Sequence, residues 1–560
     1  MTSVSEPQTQ PTPPPPSATR SVARATAGIG ALHFIRFLIG FAAQPLIAHN
    51  FGLSWPADVY AVSTDIVQRF WLVFEKVINP AFLPQFIASL KEDGEEEAWK
   101  LASTALWLFL SLLVLATGTG MLIMPWLVLQ LSPKSNPQQI ALTISSARML
   151  LLGLTALGVS SLTYTILNGY KRFVWAALGD ALWKAGVFFG AFAAFVLYHK
   201  PIQALMDAQK KTPLPANDSQ LLELSLKSLQ LILLGFFIGS LLKLVPHVLA
   251  IGPKWRLLRP RVDFSNPRAR KMLLLAAPLV LGIVVSESRG FFLTWLTGLV
   301  TSSDAPRFAL KLSRLINDTF IQVFPYALSI GIFPFLADLA RERDRQPMTD
   351  LVVRALRVCF FVFVPLTGIM VALSSPLVYA MWSGGRLTTN EALTIVPPFI
   401  AYSLGLTGFA CEAMLGQTFY AMTRTWAPTL IGLGISLIWI LIAWVGVTQF
   451  HWGLKAVAGA EAFSKSLKCL IMWYLLKPHL GNIKRRDNLM FFLQLLAATV
   501  VAALVAHFAA HFLAPSGAGK GRLIIGVTAS GFLAVASFVV IAKAINIEEL
   551  RMIGRRRRPA

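Results

Sequence analysis

Charge is scarce in this chain: Asp, Glu, Lys and Arg supply only 14% of 560 residues, while hydrophobic residues supply 55%. Soluble domains carry about a quarter charged residues, so the composition excludes an ordinary water-exposed fold. Cysteine is scarcer still. Cys359, Cys411 and Cys469 all lie in apolar stretches, form no disulfide framework and no metal spacing, and read as small core residues. The short alternating segments of a membrane β-barrel are missing. No apolar stretch begins ahead of Arg24, so no signal peptide is expected and the first membrane helix should be retained. The first 19 residues, rich in Pro, Thr and Ser, have nothing to bury; they are expected to be disordered, within a cytoplasmic tail over 1–24.

What the chain has instead is hydropathy. The mean is +0.62. Apolar runs of roughly 20 residues recur from 27 to 545, each long enough to cross about 30 Å of hydrocarbon as a helix. The fold class read from this is an all-α polytopic membrane protein. Fourteen helices are expected, near 27–48, 59–90, 101–131, 139–168, 174–198, 222–251, 270–300, 305–338, 351–382, 390–421, 427–449, 453–477, 489–513 and 522–545.

The net charge is +23. A nucleic-acid partner would need a soluble basic face or a recognition motif, and neither is present. The excess is one-sided instead. With both termini cytoplasmic, 26 Lys and Arg fall on inner segments and nine on outer loops, the asymmetry of the positive-inside rule. The chain is thus expected to be a multi-pass protein of a bacterial plasma (inner) membrane with an even number of spans.

One pattern occurs twice. NPAFLPQFIASL (79–90) and SIGIFPFLADLA (329–340) place Pro84 and Pro334 250 residues apart. GYKRFVWAALG (169–179) and TRTWAPTLIG (423–432) place Arg172 and Arg424 252 apart, and Trp175 and Trp426 251 apart. A shared offset means two homologous halves. Six helices in each half return the chain to its starting side, so the repeats are parallel. The expected organisation is an N-lobe over 25–251, a basic cytoplasmic linker over 252–269, a C-lobe over 270–478, two additional helices over 489–545 and a basic tail over 546–560. Two lobes that can rock about a site between them suit an alternating-access carrier.

Charges at membrane depth cost several kcal/mol unless paired or wetted, so they point to a cavity. His33, Arg36, Gly40 and Gln44 share one face of the first helix. Asp58, Asp65, Arg69 and Lys76 form a stripe on the second, and Asp304, Arg307, Lys311, Arg314, Asp318 and Gln322 a stripe on the eighth. Glu287 and Arg289 on the seventh point apart. Arg69 and Arg314 both fall about 15 Å into the membrane, at matching positions of the repeat. The expectation is a cationic cavity for an anionic substrate, with Arg36, Arg69, Arg289, Lys311 and Arg314 as substrate contacts. Asp58, Asp65, Glu287 and Asp318 are the expected gate or coupling groups. The competing reading is structural: Asp65–Arg69 and Arg314–Asp318 are both spaced i, i+4 and could neutralise each other. No catalytic or metal residue is expected. SGAGKG (516–521) lacks the glycine and Ser/Thr of a phosphate loop, and His507 with His511 lacks a third ligand.

Several of these residues fall in familiar runs. FGLSWPADVYAVSTDIVQRFWLVFEKVINPAFLPQF (51–86) resembles the second-helix signature of bacterial lipid II flippases of the MurJ or MviN type. ILNGYKRF (166–173) and FYAMTRTWAP (419–428) resemble two turns of that family, and the likeness runs from about 22 to about 545. The resemblance implies a V-shaped carrier of two six-helix lobes, with two terminal helices lining a groove for a lipid tail. It implies a partner lipid, an undecaprenyl-pyrophosphate-linked glycan, flipped for cell-wall synthesis by alternating access, with no cofactor beyond a coupling cation or the membrane potential. It assigns Asp58 the essential second-helix acid, and Arg69, Arg314 and Arg36 cavity arginines. Two departures stand out: Ala43 and Gln44 replace an Arg–acid pair, and Ser313 replaces an acid. They keep open a flippase for another lipid-linked oligosaccharide. A multidrug exporter fits less well, because its cavity should be acidic. A membrane glycosyltransferase fits less well too, because the first outer loop is short and holds one acid.

Overall fold

The computed structural model describes residues 16–211, 215–260, 262–301, 303–424, 426–515 and 518–550. The first fifteen residues of the tail, the last ten of the basic tail and Ser516 and Gly517 lie outside them, as do the side chains of His33, Gln322 and Pro334. Among the described residues the chain is helical throughout, apart from turns and one isolated bridge between Gly384 and Leu387.

The helices are α1 (Pro16–Phe51), α2 (Trp55–Glu92), α3 (Glu95–Leu131), α4 (Pro137–Gly169), α5 (Phe173–Lys211), α6 (Pro215–Leu242), α7 (Leu244–Ile251), α8 (Pro267–Gly298), α9 (Pro306–Leu339), α10 (Gln346–Ala372), α11 (Ser374–Trp382), α12 (Thr389–Ala421), α13 (Trp426–Thr448), α14 (Leu454–Leu476), α15 (Arg485–Leu513) and α16 (Lys520–Ala544). Among the described residues, ten spans are long and apolar enough to cross a membrane. Helices α1, α2, α9 and α14 are as long but carry more polar residues; with them the long helices are consistent with the fourteen expected spans.

The boundaries differ from the expectation in three places. Helix α1 starts at Pro16, so residues 16–24 are helical rather than disordered. Helices α5 and α6 extend to Lys211 and back to Pro215, absorbing most of a loop expected near 199–221. The spans 222–251 and 351–382 are each broken in two. Pro246 and Pro376 lack the amide that would bond to Leu242 and Ala372, the last residues of α6 and α10. Hydropathy stays high across both breaks, which is why the sequence reads them as continuous.

The internal repeat is visible in the turns. Lys171 and Thr423, 252 positions apart, are both left-handed, with φ of 59° and 58°. Each closes the same helix end: Arg172 N–H donates to the Leu167 carbonyl at 2.8 Å, and Arg424 N–H to the Phe419 carbonyl at 2.9 Å. Asn136 caps α4 and Thr388 caps α12, again 252 apart.

Packing follows the same division. In the first half α1 packs on α5, α2 on α4, and α5 on α6; in the second, α9 packs on α12, and α12 and α13 on α14. Helices α5 and α6 meet backbone to backbone: a Cβ at Gly186 would lie 2.5 Å from the Gly239 Cα, and one at Gly190 2.7 Å from the Leu231 carbonyl oxygen. Small residues at such spacing drive helix association where lipid offers no hydrophobic gain. Helix α8 departs from the repeat by packing along α2. The extra pair α15 and α16 packs on α10 and α11, where Arg357 reaches the buried Glu549 carboxylate at 2.9 Å.

Candidate functional site

Because α8 and α9 face α2, their polar stripes converge. A cavity of about 220 Å³ opens between them, lined by Asp65, Gln68 and Arg69 of α2, Thr294 of α8, Arg307, Lys311 and Arg314 of α9, and Tyr402 of α12.

At one end of the cavity the halves are clasped. The buried Asp58 carboxylate accepts the Arg307 backbone N–H at 3.0 Å and also its guanidinium. Arg307 donates further to the Thr294 carbonyl at 3.0 Å and to the Leu131 carbonyl. Lys134 donates to the Leu299 carbonyl at 2.7 Å. Beside this clasp, the Arg386 N–H donates to the His49 carbonyl at 2.9 Å, and the Leu53 N–H to the Glu391 carboxylate at 3.2 Å. Asp58 therefore stands in this clasp, between the lobes.

Deeper in, Arg69 lies between two acids. It donates to Asp65 at 2.8 Å within its own helix and to Glu287 of α8 at 3.3 Å. Thr294 donates to the same Asp65 oxygen at 2.7 Å, and Lys76 to Glu287 at 2.7 Å. Arg314 is its counterpart, donating to Asp318 at 3.1 Å and to Glu461 of α14 at 3.3 Å. Both i, i+4 pairs of the competing structural reading are thus formed, and each has an additional acid from another helix. The two arginines line one cavity, but neither is a free cation.

The remaining expected contacts are dispersed. Arg36 faces α5 rather than the α2 stripe, donating to Asp180 at 2.9 Å, and the Lys243 ammonium forms an ion pair with the other oxygen of that carboxylate at 2.8 Å. Glu287 and Arg289 do point apart: Arg289 stacks over Trp439 at 4.4 Å. Lys311 stands over Tyr60 at 4.6 Å. Ala43 and Gln44, at the departure from the family pattern, are buried.

Sequence reasoning missed half of this network. Asp180, Lys184 and Lys243 in the first lobe, and Glu412, Glu461, Lys465 and Lys468 in the second, were not singled out. Glu412 receives Lys465 at 2.8 Å and Lys468 at 2.6 Å. The signal was available, since every one is an ionisable residue inside an apolar span. Among the described residues no group of three His, Cys, Asp or Glu could hold a metal ion.

Comparison with known proteins places this geometry. A family model described as lipid II flippase MurJ matches residues 47–528. The chain is 24% identical over 501 residues to lipid II flippase MurJ of Burkholderia cenocepacia, covering 86% of this chain and 88% of that one. It is 22% identical over 551 residues to the probable lipid II flippase MurJ of Rhizobium meliloti, covering 96% of each. Among solved structures, lipid II flippase MurJ in an inward closed conformation superposes with a TM-score of 0.69 at 17% identity, over 93% of this chain and 99% of that one. An inward-facing multidrug resistance MATE family transporter of the MOP superfamily superposes at 0.62 with 13% identity, over 79% and 94%. The fold is therefore common to carriers of different cargo, and the sequence match is the more specific finding. That match begins in α1, ends in α16 and spans both lobes, and by it this multi-pass membrane protein belongs to the lipid II flippase MurJ family.

Proposed function

We propose that this protein is a lipid II flippase, carrying an undecaprenyl-pyrophosphate-linked glycan from the cytoplasmic to the outer leaflet of the inner membrane by alternating access. It acts as a carrier and not as an enzyme, with both termini cytoplasmic. The observation that supports this most is the family match across both lobes. The geometry agrees with it: a cavity rich in Arg and Lys lies between two repeat-related halves, under an outer closure made of ion pairs and hydrogen bonds that can be broken and remade. The second reading, a flippase for another lipid-linked oligosaccharide, is favoured by Ala43 and Gln44, which put no charge where the family has an Arg–acid pair. Transport would draw on the membrane potential or a coupling cation. The test is rescue of a strain depleted of its own lipid II flippase, paired with flipping of lipid II in proteoliposomes. Growth and flipping support the first reading. No rescue, with flipping of an O-antigen-type lipid instead, supports the second.

A further inference from the structure

Beside the clasp between the lobes, two histidines touch. His49 Nε2 of α1 stands 2.6 Å from His199 Nδ1 of α5. Phe195 packs on both rings, with centroids 5.0 Å from that of His49 and 4.6 Å from that of His199. At this separation one imidazole must donate and the other must accept, so the bridge holds one proton. A second proton in the bridge leaves no acceptor and sets two cations against each other.

The His49 ring also bears on the second lobe. A Cβ on Gly385 would lie 2.4 Å from its Cδ2, which puts the ring directly against the turn between α11 and α12. The same turn is fastened to the first lobe: the Arg386 N–H donates to the His49 carbonyl at 2.9 Å, and its guanidinium reaches Ser225 and Leu221 of α6. In close packing, a change at the His199 contact is felt at the turn. The surroundings offer a second imidazolium no partner. Lys520 of α16 faces the pair: a Cβ on Gly384 would stand 3.3 Å from its Nζ and 3.7 Å from His49 Nδ1, so the two nitrogens are at most 7.0 Å apart, the sum of those distances. Lys200 and Arg522 are exposed cations on α5 and α16. The acids near this end are engaged elsewhere: Asp58 by Arg307, Glu391 by the Leu53 N–H and by Thr388, Asp218 by Gln209, and Glu223 by Lys227. Asp207 is eight residues beyond His199, about 12 Å along α5.

We propose that the His49–His199 pair is a proton-operated latch on this closure: one proton in the bridge keeps the turn at Gly384–Leu387 seated on α1, and a second proton, taken from the adjoining solution, releases it. The latch goes beyond the flippase reading and acts whatever the cargo. On the orientation proposed above it faces the outer side, so release follows acidification there. In the open state the rings part and take the second proton at the ordinary imidazole value, about 6.5; in the closed state they do not. Closure is therefore favoured above that pH and weakened as pH falls below it. For one extra proton, the ratio of open to closed should rise about tenfold between about pH 7.5 and about pH 5.5.

The test uses the full chain in nanodiscs of zwitterionic lipid. Spin labels at Gln138→Cys and Asn390→Cys, exposed positions in the first turns of α4 and α12, report the separation of the lobes at this end, in a background whose three native cysteines are replaced by alanine. Pulsed dipolar spectroscopy should show the longer-distance population gaining about tenfold on the shorter one between about pH 7.5 and about pH 5.5. His199→Gln keeps a hydrogen-bonding side chain but takes no proton, and should abolish the change. Amide exchange of the unmutated chain, corrected for intrinsic rates, is a readout independent of how any variant folds: residues 384–387 should hold their protection at the higher pH and lose it at the lower. A distance distribution or an exchange protection that does not change with pH overturns the proposal, and so does a pH response that survives in His199→Gln. Each of these results leaves the flippase reading standing.

Discussion

Asp58 and Arg307 join the second helix of one lobe to the second helix of the other: the Asp58 carboxylate accepts the Arg307 backbone N–H at 3.0 Å and its guanidinium together. One side chain thereby satisfies an orphan amide at the start of α9 and neutralises a buried cation. Both residues are almost fully enclosed, at 1% and 8% exposure. Asp58→Ala leaves Arg307 buried and unpaired, a loss of roughly 3–5 kcal/mol. Asp58→Asn keeps a neutral acceptor for the amide and should lose less. Adding Arg307→Met to Asp58→Ala should recover part of the loss, because the orphan charge goes with it. Thermal unfolding of the four proteins in detergent checks the order. A double variant less stable than Asp58→Ala would mean the pair is not the unit that matters.

Arg69 and Arg314 each use a guanidinium fork to reach acids on two helices. A lysine keeps the charge but presents a point donor that is poorly suited to bridging two carboxylates. Arg69→Lys and Arg314→Lys should therefore reach the membrane at normal abundance and flip lipid II at least about tenfold more slowly, the effect of losing one good charged hydrogen bond. Flipping assays in proteoliposomes decide. Wild-type rates in both variants would show that the bridges are ornamental to transport.

The class and the repeat were legible in the sequence for one physical reason. Lipid satisfies no backbone polar group, so every crossing must be a helix about 20 apolar residues long. Pro246 and Pro376 were visible as breakers, but window hydropathy is blind to a missing amide. Cavity residues were legible as stripes on α2 and α9, where charges recur at three and four residues. Their partners were not. Glu287 and Lys76 are 211 positions apart, and only the packing of α8 along α2 brings them together. Asp180 and Lys184 are spaced i, i+4 on α5, the spacing that exposed Arg69, and could have been found the same way; Lys243 has no Asp, Glu, Lys or Arg three or four residues away, so periodicity could not expose it.

The linker between the lobes is tied to the end of α2 and the start of α3. Arg268 donates to Glu92 at 2.8 Å and to Asp93 at 3.0 Å, Lys254 donates to Glu95, and the Asp263 N–H donates to Thr104 at 3.2 Å. The Arg268 hydrogen bond holds the Asp93 carboxyl below the usual carboxylate range. Glu95 is held low by Lys254 and then by Tyr170. A carboxylate with a depressed folded pKa stabilises the folded contact above its unfolded value, near 4, and loses that stabilisation as pH falls through the folded pKa. Amide exchange of residues 252–266, corrected for intrinsic rates, should be unchanged between pH 7 and about 5 and should rise below about 4. Arg268→Ala should show the faster exchange already at pH 7. Equal protection across the whole range would remove these acids as the fastening.

On the orientation proposed above, Gly52 sets how closely the outer closure can shut. Its φ is +60°, which costs other residues roughly 1–2 kcal/mol, and a Cβ there would lie 2.7 Å from the Arg386 carbonyl oxygen. That oxygen belongs to the loop whose amide bonds the His49 carbonyl and whose guanidinium reaches Ser225 of α6. Gly52→Ala should therefore disfavour the closed outer end through both backbone strain and the clash, without touching any residue of the cavity. A cysteine placed at Gln68, in a background whose three native cysteines are replaced by alanine, reports the opening. Labelling from outside by a membrane-impermeant maleimide should be several-fold faster in Gly52→Ala than with Gly52 retained. Arg386→Ala should move in the same direction by removing the loop's side-chain anchor while leaving its backbone bond. Unchanged labelling in both variants would mean that the Gly52–Arg386 contact does not govern access, leaving the Asp58–Arg307 pair as the closure that transport has to open.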